Sequence, residues 1–264
     1  MGVTADLQET GARGQPANDA VLLEVVGDCI VKLTLNDRVN KNTFSSELSI
    51  GLMQAFAHIR ANDAYKAVIM TGYDTYFCSG GTQQGLVALN DGKMRFTDNA
   101  VFSLPLTCPV PVIAAMQGHG IGGGFIFGLF ADYVILARES IYNVNCMRYG
   151  FTPGFGSTLV LPERLGLPLA TEILTTGRNY RGAELQQRGI SFPVVARALV
   201  LEQALALARN LAEKPRISLV LLKQRLNARL NRELAEAVDA ELRMHETTFH
   251  LPEVRRKIDE EFGS

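Results

Sequence analysis

Over most of its length the chain alternates between short apolar runs and glycine-rich or polar segments, a pattern typical of strands joined by turns. Residues 21–26 and 29–35 are apolar runs that flank Gly27 and Asp28, and this arrangement predicts a β-hairpin. Three later apolar runs have the length of buried strands: residues 67–72, 110–116 and 131–137. Helical segments follow the glycine turns after these runs, so the pattern predicts a mixed α/β domain.

Helical periodicity marks segments between the strands and the whole last part of the chain. Leu48, Leu52 and Ile59 recur at helical spacing within residues 45–60, and residues 43–46 offer N-cap side chains. Similar spacing predicts further helices at residues 169–176, 182–188, 199–213, 217–228 and 230–248. The predicted organisation is a disordered N-terminal segment, residues 1–18, a strand-and-helix core, residues 19–198, and a C-terminal helical region, residues 199–264.

The composition is that of a globular protein of this length. The chain has 264 residues, 47% of them hydrophobic, and a net charge of −1, which permits a large core and argues against a nucleic-acid partner. No apolar run reaches the roughly 20 residues of a membrane helix and no signal peptide opens the chain, so we expect a cytosolic protein without a membrane partner. The four cysteines lack CxxC spacing and the four histidines lack metal-ligand spacing, so we expect reduced thiols and no metal site.

Two glycine turns carry most of the chemical information. Residues 117–127, QGHGIGGGFIF, deliver three consecutive glycines from an apolar run to the start of an apolar helix. Residues 77–82, FCSGGT, follow another apolar run in a similar way. Glycine leaves backbone N–H groups uncovered, and at a strand-to-helix turn such donors bind an oxyanion that develops on a carbonyl. Two such turns predict a pair of N–H groups aimed at one oxygen.

With both turns in this order, and with residues 149–158, YGFTPGFGST, further along, the chain resembles the crotonase (enoyl-CoA hydratase/isomerase) superfamily from about residue 21 onward. The resemblance implies a β-β-α spiral core and a C-terminal helical region that packs in trimers, so we expect a homotrimer or a dimer of trimers. It also implies that the N–H groups of Gly81 and Gly123 form the oxyanion hole for a thioester. No cofactor is expected.

The two glutamates that hydratases of this superfamily use are missing. The resemblance places the first at Ile126, just after the glycine triplet, and counting back from Pro153 and Gly154 places the second at Cys146. Removing one acid or base group typically lowers the rate by about a hundred- to ten-thousandfold, so hydration by this machinery is not expected. Decarboxylation of an acyl thioester fits better, because loss of CO2 leaves electrons that delocalise onto the thioester oxygen without a base.

One branch of the superfamily, the decarboxylases of polyketide β-branching, resembles this chain in three segments: residues 80–86, GGTQQGL, residues 149–154, YGFTPG, and residues 244–246, MHE. That branch converts 3-methylglutaconyl thioester on an acyl carrier protein to 3-methylcrotonyl thioester, which implies a partner that bears the substrate on phosphopantetheine. Its functional histidine maps onto His245. Its functional lysine maps onto Arg95 or Lys93, in the loop after the first glycine turn.

Candidate roles follow from the chemistry of these side chains. Arginine binds a carboxylate through its bidentate fork but keeps its proton, so we assign Arg95 or Lys93 to the leaving carboxylate and proton transfer to His245. The other predicted pocket residues are His119, Ile126, Cys146 and Tyr149. Cys146 has no neighbouring histidine in the sequence to activate it, so we interpret it as a small lining residue and not a nucleophile.

Two other functions remain compatible with the sequence. The first is hydration or double-bond isomerisation of a CoA thioester with a relocated acid or base, which the mass of the product distinguishes from loss of CO2. The second is a non-catalytic scaffold or RNA-binding role, which a few superfamily members have and which the net charge of −1 disfavours.

Overall fold

Two β-sheets form the centre of the computed structural model, which describes residues 18–98 and 100–262. The strands, in chain order, are β1 (Val21–Val26), β2 (Ile30–Leu35), β3 (Ala67–Thr71), β4 (Tyr76–Cys78), β5 (Val112–Met116), β6 (His119–Ile121), β7 (Tyr133–Ala137), β8 (Ile141–Asn143), β9 (Tyr180–Arg181) and β10 (Val194–Val195). The six-stranded sheet has the order β1-β2-β3-β5-β7-β10, and the four-stranded sheet has the order β4-β6-β8-β9. The β1–β2 and β8–β9 pairs are antiparallel, and the other pairs are parallel.

Helices connect the strands and form the end of the chain. They are α1 (Ser46–Ala61), α2 (Gln83–Asn90), α3 (Leu104–Thr107), α4 (Gly123–Leu129), α5 (Cys146–Tyr149), α6 (Ser157–Leu165), α7 (Leu167–Thr176), α8 (Gly182–Gln187), α9 (Arg197–Ala212), α10 (Arg216–Thr248) and α11 (Pro252–Phe262). Short 3-10 helices lie at Phe96–Asp98 and Ala100–Ser103. Within the described residues, none of the helices combines the length and the apolar character needed to cross a membrane.

The chain repeats a β-β-α unit. The strands β3, β5 and β7 enter the large sheet, and the strand after each of them, β4, β6 or β8, enters the small sheet. A helix follows each pair of strands: α2, α4 and α5. The strands that successive repeats add to each sheet are parallel, so the chain must cross over to the other end of the sheet between them. Each repeat therefore adds one strand to both sheets, and the chain winds into a spiral. The predicted mixed α/β class and spiral core are confirmed.

The large sheet is covered on both faces. All five residues of β3 are buried. Val68 and Met70 belong to the main core with the apolar sides of α1 and α4, whereas Ala67 and Ile69 pack in a second cluster with Val200 of α9. Successive strand residues point to opposite faces, so a fully apolar strand needs helices on both sides. The first helix of the predicted C-terminal region therefore completes the core.

The C-terminal helices differ from the predicted segments. The last two predicted helices form one continuous helix, α10, because nothing at their junction breaks it. Arg229 is a good helix former there and pairs with Glu233 one turn later at 2.9 Å. The helix α11 was not predicted, and its Val254 and Ile258 are fully buried in a cluster with residues of α2 and α5.

The N-terminal edge of the described fold lies at Asn18. Its side-chain nitrogen donates to the carbonyl of Glu47 (2.7 Å), and its Oδ1 accepts from the N–H groups of Ala20 and Val21 (2.9 and 3.0 Å). Asn18 is therefore bonded into the fold, although it is the last residue of the predicted disordered segment. The rest of that predicted segment lies outside the described residues.

Candidate active site

The two glycine turns lie side by side because β4 and β6 are parallel neighbours. Cys78 pairs with Gly120, so the turns that follow the two strands leave the sheet at one edge. A Cβ atom on Gly124 would lie 2.1 Å from the carbonyl oxygen of Cys78, and one on Gly80 would lie 2.6 Å from the carbonyl oxygen of Ile121. Gly80 also has a φ of 80°. Only glycine permits so close an approach of the two backbones.

This approach leaves the N–H groups of Gly81 and Gly123 uncovered. Gly123 is the first residue of α4, where an N–H has no partner within the helix, and Gly81 precedes the N-cap of α2, Thr82. In the described part of the chain no backbone carbonyl takes up either group. A Cβ atom on Gly80 would lie 3.4 Å from the nitrogen of Gly123, so the first turn reaches the second donor. Two free donors on adjacent turns meet the requirement for an oxyanion hole.

Asn143, at the end of β8, fixes the glycine triplet. Its backbone carbonyl and its Oδ1 both accept the N–H of Gly122 at 3.0 Å. The amide nitrogen of Asn143 in turn donates to Oδ1 of Asn179. The N–H of Gly122 is thus held by two acceptors of one residue. These bonds restrain the backbone directly before the peptide group that carries the Gly123 donor.

Both donors border a cavity of about 230 Å³, which we call the glycine cavity. Most of its wall is apolar or glycine, and the side chains of Ser79, Thr82, Arg95 and Asn145 add polar groups. Six of the predicted site residues line it: Gly81, Arg95, Gly123, Ile126, Cys146 and Tyr149. The structure therefore brings together residues that are up to 68 positions apart in the sequence, between Gly81 and Tyr149.

Neither of the two glutamate positions supplies a charge. Ile126 is apolar and almost completely buried. Burial, with a smaller effect of the nearby Glu241 carboxylate, raises the pKa of the Cys146 thiol to about 12. The thiol is therefore neutral at physiological pH, which agrees with its interpretation as a lining residue and not a nucleophile.

Glu241 is a buried carboxylate close to the cavity, but the backbone occupies its oxygens. They accept the N–H groups of Gly156 (2.7 Å) and Thr158 (2.8 Å) and the hydroxyl of Thr158 (2.6 Å). These bonds cap the start of α6 and lower the pKa of Glu241, whereas burial raises it and prevails. Glu241 does not line the glycine cavity. It is a structural cap and not a relocated acid or base.

The two predicted cations occupy different places. Arg95 borders the glycine cavity, and its backbone N–H is held by the carboxylate of Asp98 at 2.7 Å. Lys93 does not line the cavity. Its ammonium group pairs with Asp91 at 2.9 Å, and its side chain is 73% exposed. Of the two candidates, Arg95 is the one placed to meet a carboxylate in the cavity.

His245 lies on α10 and is almost fully buried. Its Nε2 lies 2.9 Å from the carbonyl oxygen of Thr152 and 3.2 Å from that of Pro153, so this nitrogen carries the proton and donates. Nδ1 is then an acceptor, and it is buried without a hydrogen-bond partner among the described residues. Burial lowers the pKa of the imidazole more than the two carbonyls raise it, which favours the neutral form.

His245 borders a second cavity, of about 210 Å³, which we call the histidine cavity, and does not line the glycine cavity. Four residues line both cavities: Leu89, Met94, Arg95 and Phe96. The ring centroid of Phe96 lies 4.6 Å from that of His245 and 5.0 Å from that of Phe155, which lines the glycine cavity. The ring of Phe96 thus lies beside His245 at the boundary between the two cavities, and Gly154 of the glycine cavity lies against the imidazole as well, since a Cβ atom there would be 2.6 Å from Cε1 of His245.

His119 is placed outside the glycine cavity, which corrects its prediction as a pocket residue. It belongs to β6, and its Nδ1 accepts the N–H of Ile141 on the neighbouring strand β8 at 2.9 Å. Burial, followed by the charges of Arg197 and Arg181, lowers the pKa of its imidazole. The physical reason is that the backbone stays in the sheet through Ile121 and turns toward the cavity only afterwards.

Asn145 and Phe96 are among the lining residues of the glycine cavity that the sequence did not predict. Asn145 occupies the N-cap position of α5 without capping it, and its Oδ1 lies 2.8 Å from the position of a Cβ atom on Gly122. The signal for Asn145 was its place directly before Cys146, and the signal for Phe96 was its place directly after Arg95. Neither signal distinguishes a lining residue from a surface residue without the tertiary structure.

Residues 26–261 match the model of the enoyl-CoA hydratase/isomerase family. The match extends over most of the chain and agrees with the spiral core and the paired glycine turns. The chain therefore belongs to this family.

Three known proteins narrow the class. The chain is 53% identical over 247 residues to the bacillaene synthase decarboxylase PksI of Bacillus subtilis (strain 168), covering 94% of this chain and 99% of that protein. A structure of a dehydratase/decarboxylase enzyme couple involved in polyketide β-branching matches with a TM-score of 0.93 at 53% identity, covering 94% of this chain and 98% of that one. The ECH2 decarboxylase domain of CurF from Lyngbya majuscula matches with a TM-score of 0.89 at 44% identity, covering 93% and 100%. These matches confirm the predicted class, a crotonase-family decarboxylase.

Proposed function

We propose that the protein decarboxylates 3-methylglutaconyl thioester, or a similar acidic enoyl thioester, on an acyl carrier protein and releases the 3-methylcrotonyl thioester. The observation that carries this proposal is the pair of free donors, Gly81 and Gly123, in a cavity whose glutamate positions are Ile126 and Cys146. Such a cavity stabilises an enolate, and no Asp or Glu is among its described lining residues to activate water. The similar proteins that are named decarboxylases support the same reaction class.

The reaction needs no external base. The carbon–carbon bond to the carboxylate breaks, CO2 leaves, and the electron pair passes through the conjugated chain to the thioester oxygen, which gives a dienolate. The N–H groups of Gly81 and Gly123 stabilise that oxygen, and one such donor typically contributes about 10²–10³ in kcat. One proton then adds to the γ-carbon and restores a neutral thioester. We assign its delivery to Nδ1 of His245, which takes up a proton from water and returns to the neutral imidazole after the transfer.

The carboxylate of the substrate is assigned to Arg95. Its guanidinium stays charged and offers two parallel N–H donors to a carboxylate. The apolar rings of Phe96 and Phe155 line the same cavity. They limit the number of water molecules around the carboxylate, and poor hydration favours its loss as CO2.

The proposed reaction is tested with an acyl carrier protein loaded with the 3-methylglutaconyl group. Intact-protein mass spectrometry should show the loss of one CO2 from the carrier with this protein alone. The matched control is a carrier loaded with 3-methylglutaryl, which lacks the double bond that delocalises the electron pair and should remain unchanged. Gain of water without a decarboxylated product would instead support the hydratase alternative. The same assay with the CoA thioester decides whether the carrier protein is required.

We also propose that the protein assembles as a homotrimer or a dimer of trimers. Leu222 and Leu226 on α10 are 57% and 71% exposed and, four residues apart, lie on one side of the helix. An exposed apolar pair on a long helix favours a partner surface. Light scattering should give three or six times the chain mass of 28.8 kDa, and a monodisperse monomer or dimer would contradict the proposal.

A further inference from the structure

The ring of Phe96 stands between the two groups that the proposed reaction requires. The donors of Gly81 and Gly123 face the glycine cavity, whereas His245 faces the histidine cavity. Phe96 lines both, and its ring centroid is 4.6 Å from that of His245. A thioester held by the two backbone donors therefore lies in a different cavity from the imidazole, and Phe96 borders both cavities.

The imidazole behind this ring has an unused acceptor. Its Nε2 is fixed on the carbonyl of Thr152, while Nδ1 is buried and has no partner within the described residues. Buried polar atoms are normally satisfied, and an exception beside a cavity points to a ligand or a transferred proton. The Nδ1 atom of His245 is such an exception.

The ring of Phe96 is held by side-chain packing and not by a long element. It begins a 3-10 helix of only three residues, Phe96–Asp98, and its ring packs against those of Phe151, Phe155 and Phe249 as well as His245. The histidine cavity, of about 210 Å³, provides space next to the ring. Upstream, Gly92 has a φ of 69°, a conformation that residues other than glycine rarely adopt.

We propose that Phe96 is a positioning residue that controls the access of His245 to the substrate. When the ring leaves its place, the glycine and histidine cavities join and Nδ1 of His245 faces the acyl chain. This inference rests on the proposed function, in which Nδ1 of His245 takes up a proton from water and passes it to the γ-carbon. Phe249 provides a comparison, because its ring contacts both His245 and Phe96, at 5.5 Å each, but lines only the histidine cavity.

The first test measures access to His245 without turnover. The wild type, Phe96→Ala and Phe249→Ala are treated with diethyl pyrocarbonate, and ethoxycarbonylation of His245 is followed by peptide mass spectrometry, with the exposed His250 as internal reference. Phe96→Ala should label His245 about tenfold faster than the wild type, because removal of a core-sized ring opens the path from the glycine cavity. Saturating 3-methylcrotonyl-pantetheine should slow this labelling in Phe96→Ala and leave the rate in Phe249→Ala unchanged.

Labelling of His245 at the wild-type rate in Phe96→Ala would overturn the inference. The inference would also be overturned if calorimetry shows that 3-methylcrotonyl-pantetheine binds to Phe96→Ala but the ligand does not slow the labelling of His245. Absence of binding would count against the proposed function alone, and the rate without ligand would then decide about Phe96. Circular dichroism checks the fold, and Phe96→Leu replaces the alanine variant if that variant unfolds.

The second test is a double-mutant cycle of Phe96→Ala and His245→Ala. If Phe96 acts through His245, Phe96→Ala should lower kcat about tenfold in the wild type, because water enters the joined cavities, but less than about twofold in the His245→Ala background. Phe44→Ala is the control, since Phe44 lines only the glycine cavity and should lower kcat by the same factor in both backgrounds. Equal effects of Phe96→Ala in both backgrounds would refute the role. A wild type that releases no CO2 would refute the proposed function and leave the labelling test to decide about Phe96.

Discussion

The substitution Gly124→Ala places a methyl group between the two glycine turns. Its Cβ atom would lie 2.1 Å from the carbonyl oxygen and 2.6 Å from the carbonyl carbon of Cys78. An ordinary contact begins near 3.4 Å, so the two turns must separate by about 1.3 Å at this point. Both partners are backbone, one at the end of β4 and the other in α4, so neither yields by a change of rotamer.

This separation is large compared with the tolerance of an oxyanion hole. Donors act at about 2.7–3.1 Å from the oxygen, and a displacement of about 1.3 Å takes one of them out of range. Loss of one donor lowers kcat by about 10²–10³, or about 2.7–4 kcal/mol. Overpacking of this kind costs about 1–3 kcal/mol of stability. Since domains are stable by about 5–15 kcal/mol, the variant should remain folded.

The assay is the rate of CO2 loss from carrier-bound substrate, with thermal unfolding measured on the same preparations. Gly128→Ala is the matched control, because it overpacks the same helix one turn later against the side chains of Met116 (2.6 Å) and Phe77 (3.2 Å). It should lose similar stability but keep kcat within about threefold, since flexible Met116 moves aside and the turns stay together. A folded Gly124→Ala variant with the wild-type kcat would refute the assignment of the oxyanion hole to these turns.

Three further predictions concern charged groups. Arg95→Ala should raise KM for the acidic substrate about tenfold or more, while Lys93→Ala should change KM by less than about twofold. Steady-state kinetics measure both values, and a larger effect of Lys93→Ala would assign the carboxylate to Lys93 instead. Glu241→Ala leaves two backbone N–H groups at the start of α6 without an acceptor, so urea denaturation should show a loss of about 2–6 kcal/mol, with a smaller loss in Glu241→Gln. Burial lowers the pKa of His245 in the folded state, so below the ordinary pKa of 6.5 the unfolded state binds more protons than the folded state. The stability that this imidazole contributes is therefore complete above pH 6.5 and is lost as the pH falls through the lower pKa of the folded state. Urea titrations should therefore show a smaller loss of stability from about pH 7.5 to about pH 5.5 in His245→Gln than in the wild type, and equal losses would contradict the buried neutral imidazole. Other titratable side chains that line the histidine cavity are unchanged in that variant: Arg95, Glu246 and His250.

The large sheet and the glycine turns were predictable because their signals are local. The five-residue strands β3, β5 and β7 are long enough for an apolar run to be visible, and the glycine triplet is a contiguous motif. The small sheet was not predictable, because β4, β6 and β8 have only three residues each and show no period. This small sheet nevertheless sets the active-site geometry, since its parallel pairing brings the two turns together. His119 was misplaced for the same reason, because it looked like part of a turn and is part of β6.

The position of His245 relative to the donors depends on tertiary structure alone. A motif identifies the histidine on α10, but the cavity that it borders is decided by the ring of Phe96, almost 150 positions earlier in the chain. The second glutamate position illustrates the opposite case. It lies at a fixed distance before Pro153 and Gly154, so counting along the chain placed Cys146 correctly in the wall of the glycine cavity.

Arg95 and Phe96 show how the local chain couples two parts of the proposed mechanism. The sequence left Arg95 and Lys93 as alternatives because they are two positions apart. They occupy different places in the structure: the Asp98 carboxylate holds the N–H of Arg95 at 2.7 Å where the chain enters a 3-10 helix, while Lys93 forms an exposed ion pair. Residues 95 and 96 are consecutive, so the residue assigned to the carboxylate of the substrate and the ring beside His245 belong to one short segment that lines both cavities. On the mechanism proposed here, the cation that selects an acidic substrate is therefore the direct neighbour in the chain of the ring that controls access to the proton donor.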